Sequence, residues 1–395
     1  MAKKAKTNEA EEPVKEKGGT PKQRRASMSR FLKNINSDSE SLSHNSLSLN
    51  IEYIDTGNYA FNGILSGSLY GGIPVGLMTG FSGPSMSGKS LIAARIVGNA
   101  QKKGYFPIIF ESEAAWNHGM EKLGVKLDEC QIMPVQTIED TKTQMIQLLN
   151  KIKEDRAEGI NDKYIIVLDS LGALCTQKEL TDSQEGSFAV DMGTRARVIK
   201  AWARQVALKL KTLEIPFVFT NHTYENPAQN TPQLVKNTGG GAGVKYMSTV
   251  LVQFGMNLDK IKDEPDATDY TGLSHLIKGV LIPAITTKNR GVPPFLKTIL
   301  DINFTTGLDK YSGLFEMAQA CGVLLGDRTY SLSDGTILGY RKAFENVPEI
   351  WETKIMPLLE AELKRTIKYS DIVVGGIADL NPDLNDEEGD IEDEK

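Results

Sequence analysis

The sequence predicts an α/β fold: a mainly parallel sheet flanked by helices, with a small C-terminal domain and disordered termini. Three observations predict it. From Ile51 onward, short apolar runs alternate with longer amphipathic stretches, the pattern of strands covered by helices. The runs are apolar throughout instead of at every second residue, as befits strands with both faces buried. At the two ends of the chain apolar residues thin out and charge takes over.

Residues 1–50 are expected to be a disordered or oligomerisation segment. Met1 to Arg25 mixes Lys, Glu, Pro and Gly with almost nothing apolar, too little to offset the entropy of ordering. Ser37–Ser48 reads SDSESLSHNSLS, a second flexible stretch. Between them, Ser27–Ile35 can form a short helix with Phe31, Leu32 and Ile35 on one side, either incidental or docked on a neighbouring copy. Residues 51–308 form the core. Strands are expected at Gly76–Phe81, Phe106–Phe110, Tyr164–Leu168, Pro216–Thr220, Thr249–Phe254 and Val280–Thr286. Helices are expected at Ser90–Lys103, Thr141–Lys153 and Thr194–Leu213. Residues 309–372 read as a small domain, with helical stretches Tyr311–Cys321 and Ile350–Tyr369 around a Gly-rich interlude, Gly326–Gly339. Residues 373–395 are an acidic tail.

Composition narrows the function class. The chain has 395 residues, 40% hydrophobic and 24% charged, which suits a soluble globular protein. No apolar run approaches the roughly 20 residues needed to span a bilayer, and the first thirty residues lack the apolar centre of a signal peptide. Cys130, Cys175 and Cys321 lie far apart and only four histidines are present. A disulfide scaffold or structural zinc site is therefore not expected, and a reducing cytoplasm is. The net charge of −6 taken alone disfavours a nucleic-acid partner, but removing the nine acids and one lysine of Asp379–Lys395 takes the rest to +2. The tail is either a solubility device or a competitor with DNA for a basic groove.

Gly83-Pro84-Ser85-Met86-Ser87-Gly88-Lys89-Ser90 matches G-x-x-x-x-G-K-[ST] at every fixed position. The glycines let backbone N–H groups approach phosphate oxygens with no Cβ in the way. Lys89 reaches the β/γ-phosphates, the Ser90 hydroxyl ligates Mg²⁺, and the following helix presents its positive N-terminus. A second magnesium ligand is Asp169, which ends the apolar run Tyr164-Ile-Ile-Val-Leu-Asp169. Pro107-Ile-Ile-Phe-Glu111-Ser112-Glu113 ends in acids at the edge where open α/β sheets bind ligands. Glu113 is the candidate general base or water-positioning group, or else a cap on the next helix.

These runs, followed by T-N-H-T-Y-E at 220–225 and T-G-G-G at 238–241, resemble the RecA family of DNA recombinases, and N-H-T-Y-E with L-D-S-L-G is most similar to its phage UvsX-like branch. The resemblance covers about Ile51 to Ala318 and rests on five signals in one order. It implies a RecA-type P-loop ATPase core, ATP and Mg²⁺ as cofactors, and Glu113 at the catalytic glutamate. His222 stands where the family has a glutamine that senses the γ-phosphate, and a histidine there brings a pH-dependent charge. Lys288 and Arg290 match a basic pair that reaches the neighbouring subunit's ATP. Met120 stands where the family stacks an aromatic residue on adenine, which leaves the base pocket unassigned, with Trp116 or another contact as its substitute.

The resemblance also implies single- and double-stranded DNA as partners, a helical filament as the homo-oligomer, and room for single-strand-binding and loader proteins. Its two DNA-binding loops fall on Cys175–Ser187 and Thr223–Gly241, polar stretches expected to be mobile. Between them, Val198, Trp202, Val206 and Leu210 form an apolar stripe, with Arg197, Lys200, Arg204 and Lys211 on another face. That basic stripe is either a solvated surface or a phosphate contact. Gly239 and Gly240 allow close approach to a phosphodiester, with Lys245 nearby. Nothing reads base edges, so binding is expected to be sequence-independent and salt-sensitive. The leading expectation is a DNA-stimulated ATPase of strand exchange, located in the cytoplasm (of a host, for a phage-encoded chain). A ring helicase or motor on the same core, and a non-catalytic recombination accessory factor, stay open as alternatives.

Overall fold

A computed structural model describes residues 51–186, 193–224, 237–238, 243, 245, 248–255, 259–261 and 279–367, with residues 26, 28, 30 and 31. The chain divides into two units, residues 1–51 and 52–395. In the first, Ala26, Met28, Arg30 and Phe31 are helical and exposed. The loop tip 225–236, Gly239, Gly240 and the acidic tail lie outside the described residues.

The second unit is built on a sheet that has eleven strands among the described residues. Its spine is β5 (Gln131–Pro134), β4 (Tyr105–Glu111), β6 (Lys163–Asp169), β7 (Phe217–Tyr224), β3 (Met78–Gly83) and β9 (Val250–Phe254), each parallel to the next. The period of two along each strand sorts its residues to opposite faces. Ile109, Ile165, Val167 and Val218 enter one core with Ile92, Ile96 and Val97 of helix α2 (Lys89–Lys102). Ile108, Phe110, Ile166, Leu168, Phe217 and Phe219 enter the other with Met145 and Leu149 of α3 (Ile138–Ala157) and Trp202 and Val206 of α5 (Thr194–Thr212). Both faces are dry, which is why these runs carry no polar alternation.

Beyond β9 the sheet changes direction. β11 (Gly279–Asn289), which contains the strand expected at Val280–Thr286, β12 (Lys297–Asn303) and β13 (Gly307–Leu308) extend it antiparallel; β12, β13 and the reversal of direction are absent from the sequence reading. The stretch Cys175–Ser187, expected as a mobile loop, instead contains helix α4 (Gln177–Gln184). A capping box starts it: the Thr176 hydroxyl accepts from Glu179 N, and the Glu179 carboxylate accepts from Thr176 N. The two satisfied donors at its N-terminus offset the polar composition of the turn.

From Asp309 onward, α6 (Leu314–Ala320), the small antiparallel sheet β14–β15–β16 (Leu324–Leu325, Thr329–Leu332, Ile337–Tyr340) and α7 (Met356–Thr366) enclose Phe315, Tyr330, Phe344 and Trp351. Ala60 of α1 (Tyr59–Ser66) and Leu69 lie in this same core. The Glu360 carboxylate, buried, accepts from the Ser68 hydroxyl at 2.6 Å and Leu69 N at 2.7 Å. The small module is thus fastened to the central sheet unit by a charge-assisted clamp as well as by apolar contact.

Candidate nucleotide and DNA site

Parallel register brings the C-terminal ends of the central strands level: Gly83 lies beside His222, and Glu111 beside Asp169. The phosphate loop turns from β3 into α2 at this edge. Gly88 caps α2 with φ 76°, a conformation open to glycine, and a Cβ there would stand 2.9 Å from Ile282 and 3.0 Å from Ile302. Ser85 and Met86 are exposed at the tip, while the Ser87 hydroxyl donates to Pro84 O at 2.8 Å and shapes the loop from inside. Ser90 is half-buried in the first turn of α2. Lys89 is buried and donates to the carbonyls of Gly83 (3.1 Å) and Pro84 (2.7 Å). Its pKa lies below the ordinary lysine value because burial strips water from the ammonium, against the pull of Glu113 and Asp169.

Asp169 is 1% exposed and both oxygens are engaged, one by the Thr220 hydroxyl and the other by the Trp116 indole N–H at 3.0 Å. Each carboxylate oxygen keeps a further lone pair. The Asp169–Ser170 peptide bond is cis. Trp116 thus donates to Asp169 from within the core, and Met120 is buried as well. No group of three or more His, Cys, Asp and Glu able to hold a metal occurs among the described residues. Ser90 and Asp169 form an oxygen-only donor pair, which suits a hard cation sharing its shell with phosphates.

Glu113 is the hub. Its Oε1 accepts from the Ser170 hydroxyl at 2.6 Å and meets His222 Nε2 at 2.8 Å. Burial raises its pKa, but the hydrogen bonds from Ser170 and His222, with the charges of His222 and Lys89, bring it below the usual glutamate value. Glu111 accepts from the backbone N–H of Glu113 and Ala115, so it shapes the turn instead of facing the cleft. Ser112 ties the strand ends together, donating to Ser170 O and accepting from Ser170 N.

Lys288 and Arg290 lie elsewhere. Arg290 N donates to Thr249 O, and Thr249 N donates to Met78 O, so Arg290 stands level with the first residue of β3, while Lys288 pairs with Leu251 and through it stands level with Gly80. The phosphate loop starts at Gly83, the last residue of that strand; at about 3.3 Å per residue it lies about 16 Å along the strand from the level of Arg290 and about 10 Å from that of Lys288, both two strands to the side. Lys288 Nζ donates to Lys245 O at 2.6 Å. Burial, then the charges of Arg290 and Lys245, push the Lys288 pKa down to about 8.

On α5 the buried residues are Ile199, Trp202, Ala203, Val206 and Leu210, with Val198 only half-buried, so the stripe is rotated slightly from the expected one. Arg197, Lys200 and Arg204 are exposed and Lys211 half-buried. Gly243 lies against the Lys200 backbone, close enough that a Cβ would meet it at 2.8 Å. Lys245, two residues on, is exposed. Ser112, Thr220, Ser170 and the Trp116 contact were missed from sequence, and no local pattern marks them.

Comparison with known proteins agrees with this geometry. A family model described as the RecA N-terminal domain matches residues 26–309. The recombination and repair protein of enterobacteria phage T4 is 30% identical over 268 residues, 66% of this chain and 62% of the phage protein. Protein RecA of Wolbachia sp. subsp. Drosophila simulans is 28% identical over 326 residues, 78% of this chain and 82% of that protein. The mitochondrial DNA repair protein recA homolog of Dictyostelium discoideum is 25% identical over 333 residues, 82% of this chain and 67% of that protein. The phosphate loop, the aligned acidic strand ends and the matched family span lead to one assignment: this chain belongs to the RecA family, nucleotide-binding P-loop ATPases of DNA recombination.

Proposed function

We propose that the chain assembles head to tail as a helical filament on single-stranded DNA, exchanges that strand against duplex DNA, and hydrolyses ATP at the interface between successive subunits. The observation that carries this reading is the placement of the basic pair. Lys288 and Arg290 stand two strands to the side of their own phosphate loop and about 10 Å and about 16 Å back along the strand direction, farther than either side chain spans. Their charge serves a phosphate only if that phosphate belongs to a neighbour. A heterologous contact of this kind propagates without closing, and a filament results.

Within one subunit, the phosphate loop and Lys89 bind and orient the triphosphate. Ser90 and Asp169 would hold Mg²⁺, which when bound neutralises charge on the phosphates and aligns them. Glu113, ionised at neutral pH, accepts the proton of the attacking water. His222 touches Glu113 and continues through Thr223 and Tyr224 toward the second DNA loop, which supports its role in relaying the nucleotide state. The neighbour's Lys288 and Arg290 stabilise the charge that develops as the γ-phosphoryl group leaves. Arg197, Lys200, Arg204 and Lys245, with Gly239 and Gly240, face the DNA backbone. No described helix is long and apolar enough to cross a membrane; a cytoplasmic location is part of this reading, as is cooperation with single-strand-binding and loader proteins.

The test measures ATP turnover with and without single-stranded DNA and images the same samples. DNA-stimulated turnover with filaments is expected. Turnover indifferent to DNA, or hexameric rings without filaments, would overturn the proposal.

A further inference from the structure

A short turn, Ser170–Ala173, touches both groups that face the cleft. Ser170, fully buried, gives its hydroxyl proton to Glu113 at 2.6 Å, and its oxygen accepts from Ala173 N. Gly172 packs so closely on His222 that a Cβ would lie 2.7 Å from its ring. One side of the turn is pinned to β7, because Leu171 N donates to Thr220 O. The other side is held by a residue from a different element. Arg195, in the first turn of α5, donates from one guanidinium nitrogen to Gly172 O at 2.6 Å and to Leu171 O at 3.2 Å. Arg197, Lys200 and Arg204, the exposed cations of the same helix, follow within three turns.

We infer that Arg195 is a positioning residue that couples the basic helix α5 to the catalytic carboxylate, by holding the Ser170–Ala173 turn and through it the Ser170 hydroxyl on Glu113. This deepens the proposed function and rests on Glu113 being the base. One charged nitrogen donating to two successive carbonyls ties both to a single point, so it holds the turn in place. A rotation of α5 as its exposed cations engage phosphates moves Arg195, and Arg195 carries the turn. Displacement of about 1 Å at a reacting group costs on the order of a hundredfold in rate, so a small shift of this turn is enough to grade turnover by DNA occupancy. The charged groups that face Glu113 are His222 of β7 and Lys89 of α2; neither is altered by substitutions at 195.

The experiment compares wild type, Arg195→Ala, Arg195→Lys and Ser170→Ala, full length, for single-stranded DNA affinity, ATP turnover with and without DNA, and the pH dependence of kcat. For Arg195→Ala, DNA-stimulated kcat is expected to fall about ten- to a hundredfold with KM for ATP and DNA affinity nearly unchanged. The acid limb of the kcat profile should move to higher pH, since Glu113 loses a hydrogen bond that stabilises its ionised form. Ser170→Ala should reproduce that movement, the double variant should be no worse than the poorer single one, and Arg195→Lys should recover part of the loss. Turnover lost only in step with DNA affinity, with the acid limb in place, would make Arg195 an ordinary phosphate contact and overturn the inference. So would unchanged turnover, or additive losses in the double variant. If Arg195→Ala fails to fold, Ser170→Ala decides: an unmoved acid limb with full kcat refutes the coupling. Wild type without DNA-stimulated turnover, or Glu113→Gln with normal turnover, would instead sink the underlying assignment of the site.

Discussion

If the basic pair acts across subunits, two inactive variants should restore each other when mixed. Glu113→Gln keeps its Lys288 and Arg290 but cannot activate water. A Lys288→Ala, Arg290→Ala double variant keeps Glu113 and the phosphate loop but offers its neighbour no cations. Alone, each should lose turnover: about 10²–10⁴-fold for a missing general base and about 10³–10⁵-fold for a missing arginine-finger-type contact. In an equimolar mixture assembled at random along DNA, half the subunits present a working phosphate site and half of their neighbours present working cations. About one interface in four is then complete, so turnover should recover to roughly a quarter of wild type. The assay is steady-state ATP hydrolysis on saturating single-stranded DNA at several mixing ratios, with the maximum at one to one. The geometry behind the number is the separation of the basic pair from its own phosphate loop, two strands to the side and about 10 Å (Lys288) and about 16 Å (Arg290) along the strand direction. A mixture no more active than its separate components, with filaments intact, refutes action in trans.

Three further outcomes follow from named contacts. Lys288, with its pKa pushed down to about 8, is charged below that value and neutral above it. Because the free enzyme needs the charge, kcat/KM for ATP should fall as pH rises through about 8, and Lys288→Arg should move that limb upward; an unchanged limb removes Lys288 from the profile. Arg197→Ala should weaken single-stranded DNA binding evenly across sequences and reduce the salt slope by about one counterion, read from binding isotherms at several ionic strengths; sequence-selective loss would contradict the backbone-contact role. Glu360→Ala leaves Leu69 N and the Ser68 hydroxyl without their carboxylate, a loss of about 1–3 kcal/mol. Equilibrium unfolding should show it with turnover at low temperature preserved, and stability equal to wild type would remove the clamp.

How much could be read in advance varied with how local the physics was. The central strands were legible because Tyr164–Leu168 and its counterparts must be apolar on both faces, a demand each residue meets alone. The phosphate loop was legible because Gly88 and Lys89 serve backbone approach and charge at fixed spacing. Helix α4 was legible too, in the Thr176-x-x-Glu179 capping pattern, but its polar composition was taken for a loop. β12 hid because Lys297, Ile299 and Asp301 sit partly exposed beside buried Thr298, Leu300 and Ile302, so its pattern is that of a half-covered strand after a turn.

By itself, then, the sequence determined the α/β class, the nucleotide loop, and the acids that end β4 and β6, since each depends on neighbours within a few residues. Only the tertiary structure decided which of those groups meet. Glu113 reaches His222, 109 positions away, because parallel strands align their C-terminal ends. Trp116 turns to Asp169, a buried carboxylate that needs a donor. Arg195 clamps a turn on another element, and Lys288 and Arg290 come to rest two strands away from the phosphate loop and behind it along the strand direction. Such pairings follow from strand register and burial, which no run of adjacent residues encodes.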